Sequence, residues 1–272
     1  MTRHGPMNEF CWMDLKTRDP SGTAAFFSSV LGWDFAVDEE DWRRAVKISA
    51  GGDRIGGVSD LAQPVYPLGT PPHIAYYLAV DDVDHRTALA VANGAQVVVP
   101  PFDAGDQGRI ATLIDPAGAV LSLWRPRGFA GWPVSATADG TPHHAILACE
   151  DPERAREFYA RTTGTPLGRA AFREAGSGAD GTGADTTGGA APQWELALAV
   201  DDPDAVIRRA RAHGPDLVTL AGEGARRVVR LRSPEGLTFL IQGRDLIQGR
   251  DSAQGPEPGP GPDPDPGQRS GP

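Results

Sequence analysis

Four times along this chain an alternating apolar segment runs into an aspartate and then into a helix-like stretch closed by glycine. The copies are "MDLKTRDPSGTAAFFSSVLGW" from Met13, "LAVDDVDHRTALAVANGA" from Leu78, "AILACEDPERAREFYARTTG" from Ala145 and "LAVDDPDAVIRRARAHG" from Leu198. Such a repeat restricts the fold more than any single motif, because one supersecondary unit must serve every copy. The aspartates are Asp19, Asp82, Asp151 and Asp202, and Pro20, Pro152 and Pro203 follow three of them. A carboxylate there accepts hydrogen bonds from the orphan N–H groups of a first helical turn. Proline fits the next position because its missing N–H would have no partner. Helices are therefore expected from these points, with Ala24, Phe27, Val30 and Leu31 lining the first and Ala155, Phe158 and Tyr159 the third. Gly32, Gly94, Gly164 and Gly214 are expected to close them in the left-handed conformation.

Strand-like material follows each helix. After the second come "AQVVVPPF", "GRIATLID", a turn at "DPAG" (115–118) and "AVLSLW"; after the fourth come "DLVTLA", "ARRVVRLR", a turn at "SPEG" (233–236) and "LTFLIQ". "GDQG" (105–108) reads as a hairpin turn. The unit is β-α-β-β-β, and the fold class is α+β. The capping aspartates are 63, 69 and 51 positions apart, so the third unit is the shortest. Its shortfall is expected in "REAGSGADGTGADTTGGAAPQ" (173–193), a Gly/Ala/Thr/Asp-rich loop in place of strands. The expected organisation is an N-terminal domain at 1–130, a linker at 131–142 and a C-terminal domain at 143–242. A Pro/Gly-rich disordered tail follows at 243–272, where "LIQGRD" occurs twice in succession.

Charge and cysteine content narrow the function class. A net charge of −10 argues against nucleic acid, whose recognition needs a basic footprint. Two cysteines, Cys11 and Cys149, supply neither a disulfide framework nor a CxxC pair, which fits a reducing cytoplasm. The opening "MTRHGPMNEF" lacks a secretory apolar core, and no apolar run is long enough to span a bilayer. A cytoplasmic protein, monomer or homodimer, is the expectation.

The Asp-capped helices bearing "FF" or "FY", the DPxG turn before a last strand and the fourfold order together resemble the vicinal oxygen chelate superfamily. That group includes glyoxalase I, bleomycin-resistance proteins and extradiol dioxygenases. "FCWMDLKTRDPSGTAAFFSSVLGWDF", "YLAVDDVD" and "LIDPAGAVLSLWRP" are similar to a two-domain, glyoxalase-like branch of it. The resemblance covers residues 8–126 strongly and 143–242 more weakly. It implies four βαβββ modules, the third degraded, pairing into two cupped sheets. One face of each sheet packs on helices and the other lines a cleft.

Strand parity then sorts side chains. Met13, Leu15 and Thr17 should face the helices, and Trp12, Asp14 and Lys16 the cleft. Ala75, Tyr77 and Ala79, with Ser122 and Trp124, share that cleft side. Trp12, Lys16, Tyr77, Ser122 and Trp124 are the expected ligand-binding residues, suited to a flat, partly apolar molecule. If the protein is an enzyme, Asp14 is the candidate base and Tyr77 a hydrogen-bond donor. The competing reading has these aromatics simply filling the cup.

The resemblance also implies where a divalent metal would be held: seven residues before each capping Asp and midway along each last strand. Those positions carry Trp12, Ala75, His144 and Glu195, with Ser122 and Leu240 on the last strands and Ser59 or Asp60 in the first unit. Trp, Ala and Ser cannot replace metal ligands, and His73 is two positions out of register. No cofactor is therefore expected in the N-terminal cleft. His144 and Glu195 leave a second reading open, a metal-dependent lyase, isomerase or dioxygenase, or else a vestigial pair bonded to each other. A third reading is an interaction module using the acidic surface and the tail. Asp81–Asp82 and Asp201–Asp202 read as helix starts rather than acid–base pairs, and Arg208, Arg209 and Arg211 as a solvated helix face.

Overall fold

A computed structural model describes residues 7–39, 44–127, 131–132, 138–175, 192–221 and 228–244. Each copy of the repeat opens as a strand and an Asp-capped helix. The first comprises β1 (Phe10–Thr17), α1 (Pro20–Leu31), β2 (Asp34–Val37), β3 (Val46–Ala50) and β4 (Asp53–Asp60). The second comprises β5 (His73–Ala79), α2 (Val83–Ala92), β6 (Gln96–Asp103), β7 (Gly108–Ile114) and β8 (Val120–Pro126). The third is β9 (Thr141–Cys149), α3 (Pro152–Thr163) and β10 (Ala170–Glu174). The fourth is β11 (Trp194–Val200), α4 (Pro203–His213), β12 (Val218–Ala221), β13 (Val228–Arg232) and β14 (Thr238–Gly243).

All four caps form as the sequence requires. Asp19, Asp82, Asp151 and Asp202 each accept a backbone N–H three residues on, from Gly22, His85, Arg154 and Ala205, at 2.9–3.0 Å. Gly32 (φ 70°) and Gly164 (φ 83°) close their helices in the left-handed region, and Gly94 (φ 101°) follows α2 with positive φ. Gly214 departs from expectation. Its φ of 168° is ordinary extended backbone, and it leads into a short 3₁₀ turn at Pro215–Leu217.

The strands form two sheets, ordered β2-β3-β4-β1-β5-β8-β7-β6 and β10-β9-β11-β14-β13-β12. Within each unit the last strand lies parallel to the first, the helix making the crossover: β4 on β1, β8 on β5, β10 on β9 and β14 on β11. Two units then join through an antiparallel pair, β1–β5 or β9–β11. This pairing corrects the place of the third unit's shortfall. By its parallel register β10 is the counterpart of β4, and it follows α3 after only Gly164–Arg169. The absent hairpin, equivalent to β2–β3, belongs between α3 and β10 and not in 173–193. Arg173 and Glu174 are part of a strand. Residues 176–191, and 245–272 of the expected tail, lie outside the described residues. β9 opens at Thr141, two residues before the expected domain start.

The helix-facing sides of both sheets share one continuous core. Phe10 on β1 meets Trp194 on β11 at 4.7 Å between ring centroids, and Phe27 on α1 meets Phe239 on β14 at 5.5 Å. α1 packs on α4 and α2 on α3. Reciprocal polar contacts join the halves. Tyr159 donates its hydroxyl to Asp115 in the "DPAG" turn at 2.7 Å. Glu235 of the "SPEG" turn takes hydrogen bonds from the Thr17 hydroxyl and the Arg18 backbone N–H. Arg209, expected on a merely solvated face, donates to the Val30 carbonyl near the end of α1 at 2.9 Å. Trp132, in the expected linker, is buried and donates to the Ile55 carbonyl. Both sheets thus keep their opposite faces for two outward cups.

Candidate ligand site in the N-terminal cup

Alternation along β1 separates two sets of side chains. Met13, Leu15 and Thr17 are fully buried under the helices, while Trp12 and Asp14 turn to the other face and line a cavity of about 1010 Å³. Tyr77 from β5 and Trp124 from β8 join them, their rings edge to face at 5.9 Å. Tyr66, Phe102, Ile110 and Val58 complete the apolar wall, and Lys47 sits 5.9 Å over the Trp12 ring. A volume of this size suits a drug-sized ligand, and ring-bearing walls favour a flat one. The cup thus remains open rather than filled by its own aromatics.

The polar centre of the wall is built around Asp14. Its Oδ2 accepts from Lys16 Nζ at 2.5 Å and from the Ser59 hydroxyl at 2.7 Å. Lys16 also donates to Ser59 Oγ at 3.1 Å and to the Tyr66 hydroxyl at 3.0 Å. The β1–β4 register, Asp14 beside Gly57 and Lys16 beside Ser59, places these groups together. Burial disfavours the Lys16 ammonium, but the Asp14 carboxylate, the nearby Tyr77 and the hydrogen bonds outweigh burial and raise its pKa. Lys16 is thereby fixed as a cation behind the wall.

Two expected ligand contacts are placed differently. Lys16 does not line the cavity; it holds Asp14 in position. Ser122 is buried and hydrogen-bonded to Thr112 at 2.9 Å, away from the lining. Sequence parity missed Tyr66, on the link between β4 and β5, because a link has no periodicity to read. It also missed Gly57: a Cβ there would stand 3.2 Å from Asp14 Oδ1 and 3.8 Å from Trp12 Nε1.

The C-terminal cup differs in kind. Ile146, Ala197 and Leu240 pack into a small cluster across it. Glu195 does not reach for His144; both its oxygens take a fork from Arg230, Nε at 2.9 Å and Nη2 at 2.7 Å. His144 lies opposite Ala197, its ring 5.1 Å from that of His143. The fold implies divalent-metal positions, and the residues there do not fit such an ion. In the first cup they are Trp12, Ala75, Ser59 and Ser122. In the second, a guanidinium already neutralises the one carboxylate and Leu240 replaces another donor. Among the described residues no three His, Cys, Asp or Glu side chains are grouped to hold a metal. His73 is exposed, with Nδ1 against the Pro71 carbonyl at 2.9 Å. The acidic pairs are structural. Asp81 binds Arg86, which holds its pKa down at about 2, and Asp201 binds Arg244 at 2.6 Å.

Paired sheets of this topology, cupped over a cavity, define a protein of the vicinal oxygen chelate superfamily. The profile of the glyoxalase-like domain matches residues 12–124 and 144–242, and the chain belongs to that family. Among its relatives is CFP32 of Mycobacterium tuberculosis, provisionally named a glyoxylase. It is 30% identical over 85% of this chain and 92% of its own length. The anthracycline biosynthesis protein DnrV of Streptomyces peucetius is 27% identical over 89% of this chain and 94% of its own. The Mn(II)-bound glyoxalase from Novosphingobium aromaticivorans superposes with a TM-score of 0.57 at 14% identity. That alignment covers 88% of this chain and 82% of the other. Homoprotocatechuate 2,3-dioxygenase from Arthrobacter globiformis gives 0.57 at 14%, covering 88% and 81%. At such identity the structural likeness speaks for the fold alone. No helix among the described residues is long and apolar enough to cross a membrane.

Proposed function

We propose that the N-terminal cup binds a flat aromatic metabolite or antibiotic between Trp12, Tyr77 and Trp124, and that any chemistry there proceeds without a bound metal. The supporting observation is the open cavity of about 1010 Å³, walled by the rings of Trp12, Tyr77 and Trp124, with Trp12 at a position where the fold implies a metal ligand. The relation to DnrV, named for anthracycline biosynthesis, favours a polycyclic aromatic as ligand. Asp14 is the polar group at the wall, and any proton-handling role it has runs through the oxygen not engaged by Lys16 and Ser59. Tyr77, on the cavity lining, is the proposed donor to a ligand oxygen.

Thermal-shift screening against flat aromatics tests this reading, because a ligand that binds only the folded state raises stability by about 2.7 kcal/mol at a hundred times its Kd. Trp12→Ala and Trp124→Ala should each weaken a hit roughly ten-fold, the scale of a lost ring contact. Hits that bind both variants as tightly as the parent contradict the site.

A further inference from the structure

Asp14 is the carboxylate that lines the cavity beside Trp12, and its surroundings determine the group it takes. Asp14 is 9% exposed, yet its two oxygens are unequal. Oδ2 takes both protein donors, Lys16 and Ser59. Among the described residues no hydrogen bond reaches Oδ1, and Asp14 lines the cavity together with Trp12. Gly57 keeps that approach clear, since a Cβ there would stand 3.2 Å from Oδ1. A carboxylate oxygen accepts only, so its partner must carry a proton.

From this geometry we infer that the site recognises a neutral phenolic or enolic hydroxyl on a planar aromatic ligand, donated to Asp14 Oδ1, with the ring against Trp12. The inference rests on the aromatic-ligand reading above and specifies its chemistry. An ammonium is the obvious rival donor, and Lys16 disfavours it. The lysine cation, 2.5 Å from Oδ2, already neutralises the carboxylate. A second cation at Oδ1 would meet a fixed like charge in a partly desolvated wall. An anionic ligand would instead meet the free oxygen of a carboxylate. A neutral O–H avoids both penalties and gains a charge-assisted hydrogen bond.

Tryptophan-fluorescence titration of the full chain with three probes at pH 6 tests this: 2-hydroxyanthraquinone, 2-methoxyanthraquinone and 2-(aminomethyl)anthraquinone. The hydroxyl probe should bind at least roughly ten-fold tighter than the methyl ether, the scale of one hydrogen bond to a charged acceptor. Asp14→Asn should reduce that preference. Gly57→Ala should reduce it too while keeping both Asp14 and Lys16 in the chain, which covers the case of Asp14→Asn failing to fold. Equal binding of phenol and ether to the parent protein, or tightest binding of the ammonium probe, overturns the inference while leaving the aromatic cup standing. A phenol preference unchanged in Gly57→Ala and Asp14→Asn also overturns it. Saturable binding of none of the three overturns the cup and the inference together.

Discussion

At the scale of single residues, the Asp14–Lys16 pair carries the most weight. Each side chain is 12% exposed, so removing one partner leaves the other largely buried without its counter-ion. Lys16→Met should therefore destabilise the protein by about 3 kcal/mol, read from urea unfolding. The sign of the pH effect follows from the raised lysine pKa. The pair's contribution is complete below the ordinary lysine value of 10.5 and is lost only as pH rises beyond it. Asp81 works at the other end of the scale. Arg86 lowers its carboxyl from 3.8 to about 2, so its contribution is present above about pH 4 and disappears as pH falls toward 2. Asp81→Asn should flatten the acid limb of the stability curve in that window; an unchanged limb contradicts the ion pair. Strand parity made Trp12, Asp14, Tyr77 and Trp124 legible from sequence, because alternation follows from backbone geometry. It could not reveal that Ser122 bonds to Thr112 or that Tyr66 reaches Lys16. Those depend on register across strands and on the course of a link.

At the scale of elements, the four capped helices were the most readable feature, since each cap is a local bond between residues three apart. Asp202→Ala should cost about 1 kcal/mol and Gly32→Ala a comparable amount, the latter because Gly32 sits at φ 70°. Thermal melts of the two variants check both. The third unit was read only in part. Spacing showed that strands were missing, but the composition of 173–193 drew the gap to the wrong side of β10. β10 itself is a short strand, "AAFRE", without clear alternation. Its identity comes from lying parallel to β9, a long-range pairing that no local pattern encodes.

At the scale of the molecule, duplication has produced two cups with different fates on one shared core. The N-terminal cup keeps an open cavity, and the C-terminal one is packed with Ile146, Ala197 and Leu240 beside the Glu195–Arg230 fork. The halves are held together by contacts invisible to sequence reading, the chain Trp194–Tyr159–Asp115 foremost. Tyr159→Phe removes that hydroxyl's bond to a buried carboxylate and leaves the Trp194 N–H without its acceptor. It should cost about 2–3 kcal/mol in urea unfolding. A change within a few tenths of a kcal/mol would mean the halves do not depend on this contact. The most direct test of the whole account is a crystal structure with a bound hydroxylated polycyclic aromatic. The expected result is the ring system beside Trp12, Tyr77 and Trp124, with a ligand oxygen in hydrogen-bond reach of Asp14 Oδ1. A ligand seated in the C-terminal cup, with the N-terminal cavity collapsed onto its own rings, would contradict it.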